Sequence, residues 1–107
     1  MSFHAYDNAL LLVRCLAPVV EQLRSRSRDL ADQLERAATS VVLNLAEGAR
    51  RRGKDQVRFY AMAAGSASEI RAALDVAQAW GWSIACEPAR ELLDRPRAML
   101  WRLTHPR

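Results

Sequence analysis

Glycine and proline are scarce in this sequence, with four of each among 107 residues. That scarcity argues against low-complexity disorder and against turn-rich all-β architectures. Only two cysteines occur, Cys15 and Cys86. No second pair or histidine cluster accompanies them, so they do not make a metal site. Each sits among apolar neighbours and reads as a reduced core residue of a cytoplasmic chain. The longest apolar run, Ala9 to Val13, falls far short of the roughly 18 residues that span a bilayer. The N-terminus has no basic start, apolar run and small-residue cleavage site. A cytoplasmic location without a membrane partner is expected. No nucleophile–base pair, phosphate loop or metal cluster is visible, and His4 and His105 stand alone near the two ends. No catalytic residue, metal ligand or cofactor is assigned, and no enzymatic activity is expected.

What is present is helical. Nineteen alanines and abundant Leu, Arg and Glu favour helix throughout, and the length suits one domain, residues 1–107. Apolar residues recur at helical spacing in four segments. The first helix is predicted from about Tyr6 to Leu23. Leu12, Leu16, Val19 and Leu23 form one stripe, and Leu10, Val13, Ala17 and Val20 form a second. A small bundle covers only one of these, so the second is expected to meet another subunit. Pro18 is expected to kink this helix or mark a boundary in it. Ser25 or Ser27 caps the second helix, predicted over Arg28 to Ala49, with the stripe Leu30, Leu34, Ala37, Val41 and Leu45. Gly48 and Gly53 flank the next connection, and either can supply a left-handed stop.

The third helix is predicted from Asp55, its N-cap, to Trp80, with Phe59, Ala63, Ala67, Ile70, Leu74 and Ala77 inward. Gly81 ends it, and the Trp80-Gly81-Trp82 turn reads as core or interface. A fourth helix begins near Glu87, carries Leu92, Leu93, Met99, Leu100 and Leu103, and is bent or split at Pro96. Four helices with short connections imply an all-α, up-down-up-down four-helix bundle.

Charge is uneven. The chain carries +4 overall. The segment from Arg50 to Arg58 holds Arg50, Arg51, Arg52, Lys54 and Arg58 against Asp55 alone, so it accounts for the whole surplus. Two readings are open: a solvated connection between helices, or a surface for a phosphate backbone or another acidic partner. In the up-down-up-down topology this loop shares an end with both termini, and Arg97, Arg102 and Arg107 enlarge the patch.

The second and third helices also carry polar and small residues at helical spacing. As an antiparallel hairpin turning near residue 52 or 53, they set residues whose numbers add to about 105 face to face. That rule pairs Glu47 with Arg58, Asn44 with Ala61, Ser40 with Gly65 and Arg36 with Glu69. Gly65 is expected to remove a side chain where the backbones approach, with Ser40, Asn44 and Ser66 hydrogen-bonded nearby. Glu47 and Glu69 lie roughly 15 Å apart at 1.5 Å per residue, too far for a shared acid–base site. The row reads as structural, fixing register at some cost in apolar burial.

Gln33-Leu34-Glu35-Arg36-Ala37-Ala38-Thr39-Ser40-Val41 with Asn44-Leu45-Ala46-Glu47-Gly48, and Phe59-Tyr60 with Ala63-Ala64-Gly65-Ser66 and Ser68-Glu69, carry a resemblance. The chain resembles the four-helix-bundle proteins encoded in intervening sequences of large-subunit ribosomal RNA genes, relatives of accessory proteins of diversity-generating retroelements. The resemblance covers nearly the whole chain. It implies assembly as a homopentameric ring and no established enzymatic activity. In the retroelement relatives the basic ring binds nucleic acid and a reverse transcriptase. The family's signature residues map onto Arg36, Ser40, Asn44, Glu47, Gly48, Gly65, Ser66 and Glu69. Pro18 and Pro96 depart from straight outer helices.

Two functions are weighed. One is an oligomeric scaffold that binds RNA or DNA non-specifically through Arg50, Arg51, Arg52, Lys54 and Arg58, since no base-reading motif is present. The other is a protein-interaction scaffold for an acidic partner such as a reverse transcriptase or RNA-processing factor.

Overall fold

The computed structural model describes residues 4–94. The described residues are all-α, forming four helices and no strand. Helix α1 spans His4–Arg24, α2 spans Arg28–Ala49 and α3 spans Gly53–Ala79. Residues 87–94 form α4. Helix α3 has 27 residues, about 40 Å at 1.5 Å per residue, which accounts for the long axis of a 42 × 22 × 21 Å molecule. No described helix is long and apolar enough to cross a membrane. The readings placed on Pro96, Arg97, Met99, Leu100, Arg102, Leu103, His105 and Arg107 lie outside the described residues.

The predicted apolar stripes build the core. Leu12, Leu16, Val19 and Leu23 of α1 meet Leu34, Val41 and Leu45 of α2 and Ile70 and Leu74 of α3 in one buried cluster, joined by Cys86, Ala89 and Leu93. Burying each of the larger side chains contributes about 1.5–3 kcal/mol before conformational entropy is set against it. Helix α2 is central and packs against both α1 and α3. The second stripe of α1 divides: Val20 is buried, Val13 is half-buried, and Leu10 and Ala17 are exposed.

Helix ends follow local chemistry. The Ser27 hydroxyl accepts from the Leu30 amide at 3.1 Å, so Ser27 and not Ser25 caps α2. Ser25 donates back to the Gln22 carbonyl instead. Arg24 ties the end of α1 to Asp32 and Glu35 of α2 at 2.7 and 3.1 Å. At the far end of α3, Gly81 has φ +79°, Trp82 N–H bonds Ala77 C=O, and Gly81 N–H bonds Gln78 C=O. This is a Schellman stop, which needs a left-handed residue where Gly81 stands.

Several expectations are corrected. Pro18 marks no boundary, since helix α1 runs through it from His4 to Arg24. Pro18 and Arg14 are both exposed, so the Arg14 carbonyl that loses its helical donor faces water. Helix α3 begins at Gly53, two residues before the expected start. Its N-cap is Arg52, with no side-chain hydrogen bond, and Asp55 lies in the first turn. Tyr60, and not Phe59, occupies the buried stripe. Trp80 is 70% exposed and stacks on Trp82, with ring centroids 6.1 Å apart. Of that pair, only Trp82 packs against the core.

Candidate nucleic-acid interface

The turn between α2 and α3 is short: Gly53, at φ +58°, reverses the chain with three residues between it and Ala49. Gly53 is the left-handed residue here. Gly48 is helical, lies inside α2 and is buried. A β-carbon on Gly48 would stand 2.6 Å from Tyr60 Cε1 and 3.2 Å from Phe59 Cβ. The close approach of the two helices is therefore at Gly48. Gly65, where it was expected, is exposed and has open space around its Cα.

Gln56 closes the turn. Its Nε2 donates to the Gly48 and Arg51 carbonyls, both at 3.0 Å, and so ties the last turn of α2 to the connection that follows it. Nothing in the spacing of the sequence singles out Gln56 for this.

The five basic residues of the turn divide into two sets. Arg51 is held in place: it meets Glu47 at 2.6 Å and Asp55 at 3.0 Å. Arg58 meets Asp55 at 3.0 Å. The two guanidinium groups stand over the Phe59 ring, 5.0 and 4.6 Å from its centroid. Phe59 thus serves the cation cluster. The expected Glu47–Arg58 pair is corrected, because each finds a nearer partner on its own side of the turn. Arg50, Arg52 and Lys54 project. Arg50 reaches Glu47 only at 3.6 Å, with 77% of its side chain exposed. Arg52 and Lys54 are exposed and form no ion pair among the described residues. Five cations face two carboxylates, leaving a surplus of three positive charges.

The Arg51 hydrogen bond holds the Glu47 carboxyl below its ordinary value, and the Arg58 hydrogen bond does the same for Asp55. Both carboxylates are charged at neutral pH, and both compete with any outside anion for these arginines.

The rest of the polar row lies along the hairpin. Asn44 Nδ2 donates to the Ser40 carbonyl and to Ser40 Oγ, each at 2.9 Å. Ser66, which is buried, donates to the same Ser40 Oγ at 2.9 Å. Ser40 thus faces Ser66, one residue beyond the expected Gly65, and that bond fixes the register of α2 on α3. Arg36 and Glu69 line one open groove of about 410 Å³ with Gln33, Ala37 and Ser40, but no ion pair joins them among the described residues. Cys86 is buried and free, its thiol pushed up by burial. No group of three His, Cys, Asp or Glu residues able to hold a metal occurs among the described residues.

The family model of the 23S rRNA-intervening sequence proteins matches residues 2–99. The chain belongs to this family. No curated protein matches it. In this intervening sequence protein the signature element from Asn44 to Gly48 packs the end of α2 against Tyr60. The element from Gly65 to Glu69 supplies the Ser66 bond and one wall of the Arg36 groove.

Proposed function

We propose that this intervening sequence protein is a non-enzymatic, cytoplasmic scaffold that binds nucleic acid non-specifically at the α2–α3 turn. The subunit is an up-down-up-down bundle, and subunits assemble into a homo-oligomer, a ring of five as the family resemblance implies. The observation that carries the reading is the surplus of Arg50, Arg52 and Lys54, which project beyond the two carboxylates. The uncapped start of α3 adds to it. Without a side-chain acceptor at Arg52, first-turn amides face the same side as the cations. Repetition around a ring multiplies the charge.

Binding of this kind rests on counterion release. Three engaged cations on single-stranded RNA give a slope of about −2 in log K against log salt, so a fourfold rise in salt weakens binding about twentyfold per engaged subunit. Fluorescence anisotropy with a labelled single-stranded RNA measures this. Arg50→Glu, Arg52→Glu and Lys54→Glu together are expected to abolish binding with helicity intact. Binding that persists in the triple variant overturns the assignment. A folded wild-type protein that ignores RNA and captures an acidic protein through these same cations transfers the turn to the second reading, a protein-interaction scaffold.

A further inference from the structure

Two exposed stripes remain that neither the core nor the basic turn uses. On α1, Asp7, Leu10, Arg14, Ala17 and Glu21 follow one another at spacings of three and four, and all are exposed. On α3, Met62, Gly65, Glu69, Ala72 and Val76 do the same, and all are exposed. Such spacing sets each group in a straight seam along its helix. Among the described residues six large apolar side chains are exposed; the seams hold three of them, Leu10, Met62 and Val76, and Leu11 lies beside the first.

The two seams match in pattern. Arg14 has Leu10 four residues before it and Ala17 three after it. Glu69 has Gly65 four before it and Ala72 three after it. Laid together on their central charges, Arg14 meets Glu69, and Leu10 falls on a residue with no side chain or only a methyl, in either direction. Arg36, beside Glu69 in its groove, is left for Asp7 or Glu21. None of Asp7, Arg14, Glu21, Arg36 and Glu69 forms an ion pair among the described residues, although eight such pairs link other groups. Gly65 points the same way. A glycine in mid-helix costs about 0.5–1 kcal/mol against alanine, and nothing among the described residues of its own subunit stands within 4 Å of a β-carbon there.

We propose that the α1 seam of one copy docks on the α3 seam of the next, with Arg14 paired to Glu69 and Gly65 admitting the neighbouring helix. The match of Arg14 to Glu69, with Arg36 opposite Asp7 or Glu21, selects a second copy of this chain as the occupant. The two seams differ, so the contact is head-to-tail, the kind that closes rings. The inference rests on the oligomeric reading above and assigns its surfaces.

Light scattering during size-exclusion chromatography, with circular dichroism as the control for folding, tests it. Wild-type protein is expected at a multi-subunit mass. Arg14→Glu and Glu69→Arg are each expected to reduce the mass towards the 12.0 kDa of one chain. The combined reversal restores the pair and the assembly. Gly65→Arg, which has room within its own subunit, is expected to keep its helicity and lose assembly. A wild-type oligomer unchanged by either single reversal, or not restored by the double, overturns the seam pairing alone. A wild-type single chain overturns the oligomeric reading and the pairing with it.

Discussion

Gly48 of α2 lies under the ring of Tyr60, so close that a β-carbon there would stand 2.6 Å from Cε1. Tyr60 is buried at the base of the basic turn, and its ring cannot retreat without disturbing the core beneath it. The turn that carries the cations is therefore set directly on a close approach of the two helices.

Gly48→Ala gains helix propensity of about 1 kcal/mol and loses more to overpacking, about 1–3 kcal/mol. The net expectation is a destabilised protein. Gly65→Ala meets open space and keeps the propensity gain of about 0.5–1 kcal/mol within the subunit. Denaturant unfolding of the two variants in the Arg14→Glu background, where subunits are expected to be separate, compares them. Equal effects at the two glycines would remove the distinction drawn between them.

Glu47 and Asp55 restrain Arg51 and Arg58. Removing them frees cations for an outside phosphate. Glu47→Gln with Asp55→Asn is expected to raise RNA affinity and to steepen its salt dependence by about 0.7 in slope for each arginine released. An affinity equal to or below that of the wild type would mean that the two arginines only hold the turn together.

The same carboxylates give a pH dependence. Both are held below their ordinary values when folded, so the unfolded chain takes up protons first as pH falls. Their contribution is complete above the ordinary carboxylate range, about pH 4–4.5, and is lost as pH drops through the folded values. The thermal midpoint is expected to fall between about pH 5 and pH 3, and to fall less in Glu47→Gln/Asp55→Asn. The same fall in both proteins would assign the acid sensitivity to other groups.

Much of the fold was legible in the sequence because helix boundaries and stripes are local. Ser27 and Gly81 begin and end helices through bonds to residues three to five positions away, and the start of α2 and the end of α3 follow from them. The polar row was legible as a row, since spacing alone puts Ser40, Asn44 and Ser66 near one another. Its depth was not. Spacing cannot tell Gly48, under Tyr60, from Gly65 in the open, because that depends on how far a ring on the other helix leans. A shift of one residue in register moves the facing partner of Ser40 from Gly65 to Ser66. At the basic turn the sequence showed the surplus of charge. It did not show that Arg51 prefers Glu47 and Asp55, that Phe59 lies against two guanidinium groups, or that Gln56 bonds the Gly48 and Arg51 carbonyls. Those choices depend on the path of the turn.

The most direct test of the central claim is to purify the wild-type protein beside the Arg50→Glu/Arg52→Glu/Lys54→Glu variant. Size-exclusion chromatography with light scattering then records the mass and the ratio of absorbance at 260 and 280 nm. A multi-subunit particle carrying nucleic acid is expected for the wild type, and a particle of the same protein mass without nucleic acid for the variant. A wild-type protein that elutes as a single chain free of nucleic acid would contradict it.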